Sequence, residues 1–133
     1  MQEVYEFLKE VGYYFIATIE GDQPHVRPFA TYALFEGKLY IQTGKNKAVS
    51  RQMAANPRIE ICAYKPDKFE WVRIEAEAVE DDRAESQQAV MDQFPQLSKR
   101  GYAVGDGNMH VRYLKNATAT FYNAGGAGKV IRF

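Results

Sequence analysis

The sequence predicts a mainly β fold: an antiparallel sheet with a few short helices, closing on itself into a barrel-like body. Three observations carry that expectation. In most patterned segments apolar residues recur at every second position, the period of a strand with one face in a core. Tight turns such as Glu20-Gly21-Asp22-Gln23 and Glu36-Gly37 separate several of them, too short for crossovers, so neighbours run antiparallel. The chain of 133 residues is of single-domain length, residues 1–133 forming one unit. In so small a sheet, exposed edges are removed by closure or by dimerisation.

Residues 2–11 read as a helix, with Val4, Leu8 and Val11 at helical spacing and Gly12 as its stop. Tyr13 to Ile19 has the aromatic and β-branched composition of a strand, and residues 20–23 form a turn. Pro24 to Phe35 alternates as one extended segment. Val26, Pro28, Ala30, Tyr32 and Leu34 share one face, and Arg27, Phe29, Thr31 and Phe35 the other. Glu36-Gly37 makes a hairpin into Lys38–Thr43. A second helix starts near Asn46, which can cap it, and ends before Asn56-Pro57. Two strands follow. Arg58 to Tyr64 turns Ile59, Ile61 and Ala63 to one face; Phe69 to Val79 turns Val72, Ile74, Ala76 and Ala78 to one face and Trp71, Arg73, Glu75 and Glu77 to the other. Asp81-Asp82 opens a third helix towards Phe94-Pro95, its acids at the positive end of the helix dipole. Residues 96–110, with Gly101, Gly105 and Gly107, are the least regular. Asn116–Tyr122 and Lys129–Phe133 form a final hairpin about Gly125-Gly126.

Composition narrows the function. Lys+Arg and Asp+Glu are both 17, so the chain lacks the basic excess of a non-specific nucleic-acid binder. A local basic pocket remains open. Cys62 is the single cysteine, which removes an intramolecular disulfide framework and cysteine-based zinc clusters. One unpaired thiol fits a reducing compartment. Residues 1–4 lack the basic start and apolar run of a signal peptide, and no apolar stretch reaches the roughly 20 residues of a membrane helix. The expectation is a cytoplasmic protein acting away from the membrane.

Two segments carry chemistry. Gln42-Thr43-Gly44-Lys45-Asn46-Lys47 ends a strand and opens a helix. Free backbone N–H groups and the dipole's positive end meet there, an arrangement that favours phosphate. Thr43 offers a hydroxyl, Lys45 or Lys47 a charge, and Gly44 close backbone approach. A solvated turn capped by Asn46 is the alternative. In Pro24-His25-Val26-Arg27-Pro28-Phe29 the arginine points away from the Val26 and Pro28 face. Its fork suits phosphate or ring-carbonyl oxygens; the alternative is an exposed strand arginine paired with Glu75 or Glu77. Pro28 marks an edge or irregular position. The hairpin between the two segments lays them side by side, as a site for a phosphorylated planar cofactor.

The remaining candidates have plainer readings. Trp71 and Tyr40 could flank an aromatic ring, or be core or interface residues. His25 and His110, without carboxylates at metal spacing, read as surface or turn histidines. Cys62 reads as a half-buried bystander. Gly125-Gly126-Ala127-Gly128-Lys129 lacks the first glycine and the Ser/Thr of a phosphate-binding loop, and Gly105-Asp106-Gly107 follows no βα unit.

Phe15-Ile16-Ala17-Thr18-Ile19, Gly21 to Pro28, Leu39 to Gly44 with Lys47, and Asn56-Pro57-Arg58 follow one another in an order that resembles the pyridoxamine 5′-phosphate oxidase-like superfamily of FMN-binding split β-barrels. The likeness continues to the last hairpin. It implies a homodimer with FMN at the subunit interface. Arg27, Pro28 and Phe29 would border the isoalloxazine ring; Gln42, Thr43, Asn46 and Lys47 would hold the ribityl phosphate. Lys45 would stand in for a basic residue that the oxidases tend to carry at the Asn46 position. Trp71 replaces a flavin-contacting glutamine. Residues 128–133 lack the Arg- and His-bearing segment that grips the substrate phosphate in the oxidases, so vitamin B6 phosphate is not the expected substrate.

The chain therefore resembles the small general stress and nitroimidazole-resistance-type relatives. The resemblance implies an FMN-dependent oxidoreductase acting on a small molecule or electron donor, with Arg27 balancing negative charge on the flavin. A non-catalytic FMN-binding or storage protein is the alternative, as is a deazaflavin- or haem-binding relative.

Overall fold

A computed structural model describes all of residues 1–133. The first helix, α1 (Gln2–Val11), buries Val4, Phe7 and Leu8, which the 3.6-residue period stacks on one face. Gly12 stops it in the left-handed conformation, φ 90°, which only glycine adopts cheaply.

Eight strands follow: β1 (Tyr14–Glu20), β2 (Gln23–Phe29), β3 (Ala33–Phe35), β4 (Lys38–Gly44), β5 (Arg58–Lys65), β6 (Glu70–Glu80), β7 (Met109–Asn123) and β8 (Gly126–Arg132). Between them lie α2 (Ala48–Ala55), α3 (Ala84–Gln93) and a 3₁₀ helix at Pro95–Arg100. Every pairing is antiparallel, in the order β2-β1-β5-β6-β7-β4-β3, with β8 added to β7. The end strands β2 and β3 are consecutive in the chain, so the sheet curls back on itself as a split barrel. One edge of β7 is divided. Residues 109–113 pair with β4 and residues 118–123 with β8, and Asn116, at φ 52°, lies between them. Ala117 and Phe133 exchange backbone hydrogen bonds of 2.7 and 3.0 Å and close the C-terminal strand.

Two apolar layers hold these elements. Ile16, Leu39, Ile41, Ile61, Val72 and Ile74 fill the barrel interior. Tyr40, Val111, Val90, Phe94, Leu97 and Met109 form a second layer beneath α3. Each large apolar side chain so buried contributes about 1.5–3 kcal/mol. Strand β4 is buried on both faces because it lies between the layers. Helix α2 packs between β1 and β4. Its Val49 and Met53 enter the interior, and Ser50 and Gln52 share the buried face.

Several expectations change here. Residues 24–35 are two strands, separated by unpaired residues 30–32. The hairpin at Glu36-Gly37 therefore joins β3 to β4, and β2 pairs only with β1. Lys47, not Asn46, occupies the cap position of α2, and no side chain caps that helix. The irregular stretch contains the 3₁₀ helix, and β7 begins at Met109, well before Asn116. A strand whose first half is buried on both faces lacks the alternation that would have revealed it.

Candidate functional site

Across the barrel opening, β2 and the end of β4 face each other over a cleft of about 620 Å³, within the range of small-molecule sites. One wall comes from β2 and the residues after it: Arg27, Pro28, Phe29 and Thr31. The second comes from the end of β4 and the turn into α2: Gln42, Thr43, Asn46 and Lys47. The third is the segment the sequence left without a role, bringing Leu97, Arg100, Tyr102 and Asn108. Arg27, Lys47 and Arg100 are the cations of this lining, and no carboxylate belongs to it. In a chain of zero formal charge, that segregation gives the cleft a positive local potential.

The Arg27 side chain crosses β1. Its Nη1 donates to Thr18 Oγ1 at 2.7 Å and Ile16 O at 3.3 Å, and its Nη2 donates to Gln52 Oε1 at 2.7 Å. The Thr18 hydroxyl donates to the same Gln52 oxygen at 2.6 Å. These acceptors are neutral, and neither Glu75 nor Glu77 pairs with the arginine. Burial pulls Arg27 below the ordinary arginine value, yet a guanidinium keeps its charge in proteins. Gln52 thus ties α2 to β2, and the cleft receives a fixed cation without a counter-ion. Pro24 and Pro28 are tolerated because β2 is an edge strand, where a missing ladder donor costs little.

At the β4 end the backbone turns tightly. Lys45 N–H donates to Asn108 O at 2.8 Å, and Asn46 N–H donates to Asn108 Oδ1 at 3.1 Å. Asn108 is held in turn by Asp106, whose carboxylate accepts N–H groups from Met109 at 2.6 Å, Asn108 at 2.8 Å and Ala103 at 2.9 Å. Those bonds, Met109's foremost, keep the Asp106 carboxyl below the usual carboxylate range. Gly44 sits where side chains converge: a Cβ there would lie 2.9 Å from Asn46 Oδ1 and from Tyr102 Oη, and 3.3 Å from Asn108 Nδ2. Thr43 Oγ1 is buried with no hydrogen-bond partner.

All the sequence-predicted cofactor residues except Lys45 line this cleft. Lys45 places its ammonium 3.8 Å from Glu80 instead. The two segments meet across the opening, not through the predicted hairpin. Trp71 stacks on Tyr122, centroids 5.1 Å apart, away from the cleft. Tyr40 is fully buried and donates to Asp81 Oδ2 at 2.8 Å, so it cannot flank a ligand. His25 lies partly exposed near Glu20, within β2 and not in a turn. His110, expected on the surface, is buried against Ser50. Sequence reasoning missed Arg100, Tyr102 and Asn108; the Gly-Asp-Gly turn at 105–107, which orients Asn108, was the available signal.

A second groove, about 400 Å³, runs between α1 and β8. Its Lys65 and Lys129 are already paired with Glu10 and Glu3 at 2.6 and 3.0 Å. Its charges largely satisfy one another, as on a solvated ion-paired surface. No group of His, Cys, Asp and Glu converges as a metal site.

Comparison with known proteins agrees with this geometry. Residues 1–123 match the pyridoxamine 5′-phosphate oxidase family profile. A crystal structure of a NimC/NimA family protein from Clostridium acetobutylicum shares 37% identity, with a TM-score of 0.93 over 100% of this chain and 93% of that one. A protein from the same organism related to general stress protein 26, of the pyridoxinephosphate oxidase family, superposes with a TM-score of 0.74 at 13% identity, covering 99% and 92% of the two chains. General stress protein 26 of Bacillus anthracis gives 0.69 at 14% identity over 98% and 99%. These two show the fold alone. No functionally curated protein matches the sequence. The family profile over most of the chain and the NimC/NimA likeness over all of it establish the assignment: the chain belongs to the pyridoxamine 5′-phosphate oxidase family of split β-barrels.

Proposed function

We propose that the cleft binds FMN and that the protein is an FMN-dependent oxidoreductase for a small substrate, working as a homodimer. The observation that carries this reading is the charge of the cleft: Arg27, Lys47 and Arg100 face it and no carboxylate does. The fit extends to the polar groups. Thr43 Oγ1 is unpartnered, Gly44 leaves room between Asn46 and Tyr102, and the uncapped start of α2 presents backbone N–H groups. Lys47, Thr43 and that helix start would hold the phosphate, with Arg27, Pro28 and Phe29 beside the ring. Bound FMN supplies electron and hydride transfer. Arg27 supplies a fixed positive potential, pre-oriented by Thr18 and Gln52, towards negative charge in the cleft. Phe29 and Leu97 supply apolar wall that excludes water.

The dimer reading is supported by the outer face of β1 and β2. Tyr13, Phe15 and Val26 are 50%, 46% and 68% exposed, and Tyr13 also lines the cleft. An apolar face continuous with a ligand site suits a second copy of the chain that completes the site.

The test is spectroscopic. Purified protein should show a flavin absorption spectrum or acquire one with added FMN; a colourless protein that ignores FMN overturns the reading. Lys47→Ala should weaken FMN by roughly tenfold or more and leave riboflavin, which lacks the phosphate, nearly unchanged. Equal loss for both removes Lys47 from the phosphate site. Reduction by NADH or NADPH separates an oxidoreductase from a storage protein.

A further inference from the structure

His110 is a buried imidazole that the cofactor reading leaves without a role. It pairs across the sheet with Thr43, so both side chains leave the same face of the barrel wall, directly behind the turn into α2. Its Nδ1 shares a hydrogen bond with Ser50 Oγ in the first turn of α2. Its Nε2 lies 3.0 Å from Glu80 Oε1, out of alignment for a good hydrogen bond and with no other partner. The same Glu80 oxygen is 3.8 Å from Lys45 Nζ, in the turn itself. One histidine and one carboxylate therefore brace both ends of the segment that carries Asn46 and Lys47.

Resting on the FMN reading, we propose that His110 is a positioning residue for the phosphate end of the cleft. Through Ser50 it fixes the start of α2, through Glu80 it communicates with Lys45, and its protonation is linked to binding of the phosphate.

The charged groups around the ring set the sign. On its own strand stands Arg112, whose Nη1 donates to Ala78 O at 3.0 Å and whose Nε has no partner. Glu80 faces it from β6, and Lys45 from the end of β4. From α2 come Ser50 and, further out, Arg51, which turns away to donate to Asn46 O at 3.3 Å. Burial, then Arg112 and Lys45, hold His110 below the usual histidine value, and Glu80 opposes them. These groups together favour the neutral ring. The tautomer with its proton on Nε2 accepts the Ser50 hydroxyl at Nδ1 and sets an N–H beside the carboxylate. A phosphate dianion at the turn offsets the repulsion from Arg112 and Lys45. Bound FMN then raises the proton affinity of His110, and by linkage affinity for FMN gains as pH falls through that window. Ionisation of the phosphate itself, with a second pKa near 6, pulls the other way and must be cancelled.

A variant without the imidazole does so. FMN and riboflavin affinities are measured from pH 5.5 to 8.5 for the wild type and His110→Gln. The ratio of wild-type to variant FMN affinity should exceed unity at the alkaline end, where the neutral ring still holds Ser50, and rise by roughly a further tenfold towards the acid end; the riboflavin ratio should stay flat. A flat FMN ratio, or equal slopes for both ligands, overturns the proposal. Wild-type protein gives a second readout should the variant fold poorly. The chain has 2 histidines, so proton NMR can follow the His110 ring directly. FMN should move the His110 titration to higher pH by about one unit and riboflavin should not; an unmoved midpoint with FMN bound overturns the proposal. Protein that binds no FMN at any pH overturns the cofactor reading, and this one with it; binding with a flat ratio overturns this one alone.

Discussion

Gly44 shows how closely the site is built at the scale of single residues. Its dihedral angles need no glycine; its surroundings do, because Asn46 Oδ1 and Tyr102 Oη each stand 2.9 Å from where a Cβ would project. Gly44→Ala must push these side-chain ends outward, and both line the cleft. FMN affinity should fall roughly tenfold, while calorimetry should show a melting temperature lowered by only a few degrees, because flexible tips yield more easily than backbone. Unchanged affinity would place the phosphate elsewhere. Arg27 makes the complementary point. Its place in the cleft lining was legible because Pro28 broke the pattern of an ordinary strand. Its partners were not, since Thr18 and Gln52 reach it from other elements.

At the scale of elements, the entry to α3 depends on Asp81. Its carboxylate accepts Arg83 Nη2 at 2.9 Å and Nε at 3.0 Å, the Tyr40 hydroxyl at 2.8 Å and the Arg83 N–H at 3.2 Å. Arg83, then Tyr40, hold this carboxyl well below the usual carboxylate range, and burial beside Asp81 pushes the Tyr40 phenol up to about 12. A depressed folded-state pKa means that the stabilisation is complete above the unfolded value near 4 and is lost as pH falls towards the folded one. Asp81→Asn should therefore cost about 2 kcal/mol at pH 7 in urea unfolding, and the gap to the wild type should narrow steadily below about pH 4. The sequence placed Asp81 and Asp82 in the first turn of this helix, but both precede its cap residue Arg83, and the reach of Asp81 to Tyr40 across the sheet was not visible. The same division runs through the other elements. The turn at Glu36-Gly37 was legible because both residues adopt positive φ, 49° and 72°, as a two-residue hairpin of this kind requires. The break between β2 and β3 was hidden because alternation runs on through residues 30–32, where Thr31 bonds to Gln42 instead of extending a ladder. His110 was misplaced because its strand is covered on both faces and so carries no period.

For the whole molecule, the proposed dimer rests on the exposed apolar face of β1 and β2. The prolines of β2 deny a clean ladder to an incoming strand, so a second copy would meet this protein by its face and not by its edge. Val26→Glu should convert a dimer to a monomer in sedimentation, with little change in melting, and should lower FMN affinity by completing only part of the site; a persistent dimer would place the interface elsewhere. Strand β7 has a further consequence, one of time. It joins β6 on one side and both β4 and β8 on the other, so the long-range β4–β7 and β6–β7 pairings wait for a strand synthesised after six others. Such non-local closure places folding in the slow range of milliseconds to seconds. Until β7 docks, the end of β4 lacks Asn108 and the turn into α2 has nothing to hold it. The cleft is therefore among the last features to form, and a ligand that needs it intact will slow unfolding without hastening folding.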